Sequence, residues 1–277
     1  MMSTIWFVSD IHARIDLLKE AVEHNIKFEN GDTFIALGDY VDGQKGNPQC
    51  NSFLTLDYLY HLQTTYPKNC YVLMGNHDLW FARFINKKFP LLYIHLEPQL
   101  ESIQDFLTNE EFMNIFIDAR AHSINQTELL KTIYEKSKRI ITKKYSYLIK
   151  WLKTLPYYIE TDDFIAVHAG IEELDHGYQE FWKSASHEDT YLMKYPAEKG
   201  YFYKTIIAGH VGTASITGEE DNHDICRYGN HIYIDSTVNK SERLNLLKYD
   251  TELKIFTGIK KENNEWVEYM IEDRLKS

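Results

Sequence analysis

Between residues 5 and 210, five short apolar runs each end on a side chain that can bind a divalent cation, and no other feature of the chain constrains its fold as strongly. Ile5-Trp6-Phe7-Val8 leads into Ser9-Asp10-Ile11-His12, Thr33-Phe34-Ile35-Ala36-Leu37 into Gly38-Asp39, and Tyr71-Val72-Leu73-Met74 into Gly75-Asn76-His77-Asp78. Phe164-Ile165-Ala166-Val167 precedes His168, and Thr205-Ile206-Ile207-Ala208 precedes Gly209-His210. Apolar runs of this length, bounded by glycine and polar residues, read as buried β-strands. Open α/β sheets place their ligand sites just beyond the carboxyl ends of strands, so the five ends are expected to converge in space.

The segments between the first three runs have helical spacing. Arg14 to Ile26 carries Ile15, Leu18 and Val22 on one stripe, and Ser52 to Thr65 carries Phe53, Leu56, Leu59 and Tyr60 before Pro67 closes it. Strand alternating with helix predicts parallel pairing with right-handed crossovers. Residues 91–155 break the alternation: they are rich in Leu, Ile, Tyr and Lys, and Glu128 to Trp151 reads as one or two amphipathic helices. This segment is expected to be a helical insertion or cap within a single domain spanning 1–277, serving either to pack the flank of the sheet or to cover a substrate. After Pro156, runs at 163–168, 205–209, 231–235, 244–249 and 265–271 predict a second, more antiparallel half-sheet, with solvated turns at 218–222 and 260–264.

The formal net charge of -11, from 41 acidic against 30 basic residues, argues against an extended nucleic-acid surface. A phosphorylated substrate would instead be drawn in by bound cations. Cys50, Cys70 and Cys226 lack paired or zinc-site spacing and read as free thiols of a reducing compartment. The N-terminus has no basic segment before an apolar one, and no apolar stretch approaches the ~20 residues needed to span a bilayer. The expectation is a cytoplasmic chain with no membrane partner.

Phosphoester hydrolysis needs a strong nucleophile at neutral pH, neutralised phosphoryl oxygens and a proton for the leaving alkoxide. Two divalent ions ~3.5–4 Å apart meet the first two needs. Asp10 and His12, two residues apart at a strand end, suit one ion, and Asp39 is the natural bridge because a carboxylate offers two anionic oxygens. Asn76, His168 and His210 complete the second ion. Mixed nitrogen and oxygen donors suit manganese, iron or zinc better than calcium or magnesium without choosing among the three, and two manganese ions are the expectation. His77, beside Asn76, is the candidate general acid, and Asp42 can accept its hydrogen bond and hold it protonated.

Ser9-Asp10-Ile11-His12, Gly38-Asp39-Tyr40-Val41-Asp42-Gly43, Gly75-Asn76-His77-Asp78, Val167-His168-Ala169-Gly170 and Gly209-His210 resemble the ordered motifs of the calcineurin-like metallophosphoesterases. The likeness is nearest to their phosphoprotein-phosphatase branch, which includes bacterial Ser/Thr phosphatases and symmetrical diadenosine tetraphosphatases, and it spans about residues 4 to 250. It implies an α/β fold, a metallophosphoesterase-type β-sandwich of mixed sheets flanked by helices. It also implies the same roles: Asp10, His12 and Asp39 on one ion, Asp39, Asn76, His168 and His210 on the other, His77 as acid and Asp42 as its partner. Diesterase branches carry a further His two residues after the last metal ligand, where this chain has Gly212, so the phosphatase-like branch is implied. Three positions depart from the pattern. The branch has a phosphate-binding Arg where Gly43 stands, Arg14 replaces a small residue, and Asp78 replaces a Glu. Arg14, Arg83 and Lys183 are the candidates to bind phosphate instead.

The leading expectation is a phosphomonoesterase, including a phosphoprotein phosphatase, that hydrolyses its substrate by direct attack of metal-activated water. A dinucleoside polyphosphate hydrolase with nucleotide under the 91–155 segment is the enzymatic rival. A metal-binding interaction module that has lost catalysis is the rival from another class.

Overall fold

A computed structural model describes residues 4–86 and 97–276, so residues 91–96 of the expected insertion lie outside the described residues. The chain begins with β1 (Thr4–Val8), α1 (Ile15–Asn25), β2 (Thr33–Ala36), α2 (Ser52–Thr65), β3 (Cys70–Val72) and α3 (Asn76–Ile85). β1, β2 and β3 are parallel neighbours, with Ile5 opposite Thr33 and Phe34 opposite Cys70. This is the alternation expected from the sequence.

Among the described residues, four helices follow: α4 (Glu97–Gln104), α5 (Asn109–His122), α6 (Gln126–Lys144) and α7 (Ser146–Leu152). The expected helical stretch from Glu128 to Trp151 is two helices, broken at Tyr145, whose backbone leaves the helical region. α5 and α6 share a small core of Ile115, Ala119 and Ile133. α7 is fastened to α2 by hydrogen bonds from the Tyr147 hydroxyl to Asp57 (2.6 Å) and from the Trp151 indole to Gln63 (2.6 Å).

The second half contains β4 (Tyr158–Glu160), β5 (Phe164–Val167), α8 (Trp182–Ala185), α9 (Glu188–Met193), β6 (Thr205–Ala208), α10 (Thr213–Thr217), β7 (Cys226–Tyr228) and β8 (His231–Tyr233). It ends with α11 (Val238–Ser241), β9 (Leu246–Asp250), β10 (Ile255–Glu262) and β11 (Glu265–Met270). Strands β4-β5-β6-β8-β7 make a five-stranded sheet that is parallel at its centre and antiparallel at both edges. The last three strands do not join it. They return to the first sheet, where β9 pairs antiparallel with β1, giving the order β11-β10-β9-β1-β2-β3. The antiparallel character expected of the second half is therefore shared between two mixed sheets.

Strands β4, β7 and β10 were not legible as apolar runs, and part of the turn expected at 260–264 is strand. Lys260 to Glu262 pair across β10 and β11, and the turn proper is Asn263-Asn264, both at positive φ (49° and 66°). That is the pair of left-handed residues a two-residue hairpin needs, and Asn adopts it at low cost.

Alternation along the central strands explains the layering. Phe7, Ile35, Leu37, Phe164, Ala166 and Ile207 meet between the sheets, where the Phe7 and Phe164 rings pack edge to face at 5.2 Å. Their neighbours Trp6, Val8, Phe34, Ala36, Ile165 and Val167 point the other way, into the larger core under the helices. Strands buried on both faces read as continuous apolar runs, which made β1, β2, β5 and β6 conspicuous in the sequence. Among the described residues, no helix is long and apolar enough to cross a membrane.

Candidate metal centre

The β-ladder between β1 and β2 does not stop at the strand ends. The Asp10 amide donates to the Gly38 carbonyl (3.0 Å), His12 to Asp39 (2.9 Å) and Ala13 to Tyr40 (2.9 Å), so the two following loops run side by side. From the other sheet, the Gly209 amide donates to the His168 carbonyl (2.8 Å), and the His168 Nδ1 bonds the Leu37 carbonyl (3.1 Å), which ties the two sheets together at their ends. Asp10, His12, Asp39, Asp42 and His210 all have positive φ, between 43° and 64°. Non-glycine residues held there cost on the order of 1–2 kcal/mol each and persist where surrounding structure over-determines them, as at functional sites. Five such residues stand at this one rim.

Six candidate ligands come together at this rim. One ligand atom each from Asp10, His12 and Asp39 lies within 4.8 Å of the others, and the same holds for Asp39, His168 and His210. Asp39 belongs to both groups, and its Oδ2 lies 3.5 Å from His168 Nε2 and 4.0 Å from His12 Nε2. Asn76 joins the second group, its Oδ1 standing 2.9 Å from His168 Nε2. His12 turns its Nδ1 to the carbonyls of Val41 (3.3 Å) and Asp42 (3.2 Å), which leaves Nε2 for the cluster. A second ring nitrogen bonded to backbone in this way is how metal-ligating histidines are oriented.

Burial and charge suit a cation. Asp39 is 2% exposed; burial opposes its ionisation, but His168, His77 and His12 together outweigh it and hold the carboxyl well below its ordinary range. Burial pushes Asp10 up to about 6 despite the Ser9 hydroxyl at 2.5 Å and the His210 amide at 2.9 Å. His168 is fully buried, which alone would lower it, yet Asp39 raises it to about 9. His210 is depressed to about 4, first by burial and then by His168. The donor set therefore fits a divalent ion: two carboxylates, an amide oxygen and three imidazoles converge, and the fully buried His168 turns Nε2 to Asn76 and Asp39.

His77, the second residue of α3, donates its backbone N–H to Asp39 Oδ1 (3.0 Å). Its Nδ1 is 2.8 Å from Asp42 Oδ2, and its Nε2 is 4.0 Å from Asp39 Oδ2. Burial lowers its pKa, but Asp39 and Asp42 raise it to about 9.

The three candidate phosphate cations are engaged elsewhere. Arg14, 4% exposed, forms a two-point pair with Asp16 (2.9 and 2.8 Å); Arg83 pairs with Glu188, and Lys183 with Glu160. Gly43 has no room for the arginine of the related pattern, because a Cβ there would stand 2.7 Å from Cys50 Cβ.

Three contributors had no role assigned to them from the sequence. Asp78, fully buried, accepts amides from Asp39 (2.8 Å), Tyr40 (2.9 Å) and Gly75 (3.0 Å), clamping two of the loops together. Asp235, just beyond β8, is pushed up to about 8 by burial and then by Asp10. It ends the apolar run at 231–235, so the strand-end signal that found the others would have found it too. Ser102 bonds Asp42 from the helical segment and left no sequence trace.

The calcineurin-like phosphoesterase family matches residues 3–258. A structure assigned as a diadenosine tetraphosphatase is similar at 15% identity and TM-score 0.53, covering 95% of this chain and 96% of that one. The cold-active protein-tyrosine phosphatase of a psychrophilic Shewanella is similar at 14% identity and TM-score 0.52, covering 97% and 80%. At these identities the likeness speaks for the fold. No curated protein matches the chain.

Proposed function

The chain belongs to the calcineurin-like phosphoesterase family, and on that premise we propose that it hydrolyses phosphomonoesters at a centre of two divalent ions, manganese being the expected pair and phosphoproteins among the expected substrates. The observation that carries the reading is Asp39, shared by two donor groups whose members come from both sheets. Asp10, His12 and Asp39 would hold one ion, and Asp39, Asn76, His168 and His210 the other. When bound, such a pair supplies an activated water nucleophile and neutralises the phosphoryl oxygens.

The remaining work falls to the chain. Asp42 accepts the hydrogen bond of the His77 Nδ1–H and so fixes the ring with Nε2 toward Asp39. With its pKa near 9, His77 carries both protons at neutral pH and can give the Nε2 proton to the leaving oxygen. Among Arg14, Arg83 and Lys183, Arg14 is the preferred phosphate ligand because it continues the His12 loop; to act, it would exchange Asp16 for the substrate. We take residues 1–277 as one domain with 91–155 inserted in it. Three free cysteines accord with a reducing, cytoplasmic location.

The test is phosphate release with added manganese from a phosphopeptide, an aryl phosphate, an aryl diester and a diadenosine polyphosphate. Release from the monoesters is expected. Activity on the dinucleotide alone would favour the rival hydrolase, activity on the diester alone would overturn the choice of branch, and none at all would leave the lapsed metal-binding module.

Metal uptake should release protons. His168, protonated at neutral pH with a pKa of about 9, must lose its Nε2 proton to ligate, whereas His210, near 4, is already neutral. Affinity should therefore rise about tenfold per pH unit for each proton displaced, up to roughly pH 9. Calorimetry in buffers of different ionisation enthalpy measures this directly, and uptake without proton release at pH 7 would contradict the assigned ligand.

Gly75→Ala should disrupt the centre from outside the ligand set. A Cβ there would stand 2.2 Å from the Asp39 amide nitrogen and 2.3 Å from Asp39 Oδ1, so Asp39 must move. We expect a stability loss of about 1–3 kcal/mol by thermal melting, together with loss of bound metal by elemental analysis. Full metal content in the folded variant would show that the position of Asp39 is not critical.

A further inference from the structure

We propose that Ser102, carried by α4 within the 91–155 segment, is a positioning residue for the proton-donating pair His77–Asp42. The inference rests on the phosphomonoesterase reading and gives the helical segment a part in it. Ser102 is 2% exposed and its hydroxyl is fully used. It donates to Asp42 Oδ1 (2.7 Å), and it accepts from the Asp42 amide (2.9 Å) and from the Ser52 hydroxyl (3.0 Å). A serine hydroxyl has one proton and two lone pairs, so with its proton on Asp42 Oδ1 the Ser102 oxygen accepts the other two bonds. Asp42 Oδ1 is committed to Ser102, which leaves Oδ2 to accept from His77 Nδ1 at 2.8 Å.

Two features set this apart from ordinary helix packing. Asp42 sits at φ 61°, a conformation that must be imposed, and Ser102 grips both its backbone and its side chain. The Asp42 side chain is 1% exposed, so water has little access to take over a lost bond. The neighbours of Ser102 hold the same loop: Glu101 accepts the Gly46 amide (3.0 Å), and Asp105 accepts the Ser52 amide (2.6 Å). The helical segment thus holds the loop from Asp42 to Ser52, and through it the orientation of His77.

The test is Ser102→Ala, with Ser102→Cys as a second variant of similar volume that weakens the same bonds should the alanine chain not fold. With manganese supplied, hydrolysis of phenyl phosphate, whose leaving group needs a proton, should fall about 10-fold or more, and that of dinitrophenyl phosphate less than about twofold. Bound metal should be unchanged. In an Asp42→Asn background the serine change should add less than about twofold, because it acts through the same carboxylate. In the metal-free protein, the proton resonance of His77 Nδ1, identified by its absence in His77→Ala, should weaken or vanish in the serine variant. Equal losses on both esters, additive losses with Asp42→Asn, or an unchanged proton resonance would overturn the proposal. If the unaltered protein cleaves neither ester, the phosphomonoesterase reading fails, while the proton resonance still decides whether Ser102 positions the pair.

Discussion

Asp39→Asn is expected to reduce phosphate release by about 10³-fold or more, because one carboxylate serves both donor groups. An asparagine presents a single neutral oxygen, so at most one group keeps an oxygen donor there, and that donor has lost its charge. Cation stabilisation of phosphoryl transfer is worth several kcal/mol, and each 1.4 kcal/mol is about tenfold in rate. Asp39 Oδ1 also accepts the His77 amide, so the change weakens the seat of the general acid as well. The measurement is kcat alongside metal content and a thermal melt. A folded variant that keeps two ions per chain and most of its activity would remove Asp39 from the centre of the account.

His77→Ala should act differently. Its ring nitrogens face Asp42 and Asp39 rather than joining either donor group, so both ions should remain. Loss of a general acid costs about 10²–10⁴-fold when the leaving group needs the proton. Alkyl or phenyl phosphates should therefore lose activity in that range, and dinitrophenyl phosphate should lose little. A steep leaving-group dependence in the variant and a shallow one in the parent is the expected signature. Losses of the same size on good and poor leaving groups would rule out proton donation by His77.

What could be read from the sequence follows from where each residue sits. Strands buried on both faces leave continuous apolar runs, so β1, β2, β5 and β6 were visible; β3 exposes Tyr71 but runs on into buried Leu73 and Met74, and the ligands followed because each lies just beyond a run. β4 and β11 are only partly buried, and β7 and β10 mix polar with apolar positions. Of these four only β11 had been anticipated, because nothing in the other three runs stands out by period. The return of β9 to pair with β1 depends on packing between the halves of the chain, which local patterning does not encode. At the site, glycine and metal-binding residue types announced the loops, but not the left-handed backbone of Asp10, His12, Asp39 and His210. Asp78 was noticed as an unusual residue without its role as an amide acceptor, and Ser102 was hidden in a stretch that reads as helix alone. The phosphate-binding cation is the least legible part, since Arg14, Arg83 and Lys183 each have an acidic partner of their own.

Electron paramagnetic resonance of the protein loaded with manganese tests the account most directly. Two ions held by donor groups that share Asp39 would be close enough to couple magnetically, and loading should saturate near two per chain. The account predicts a coupled spectrum that collapses to isolated manganese in Asp39→Asn. An uncoupled spectrum at one ion per chain in the unaltered protein would contradict it.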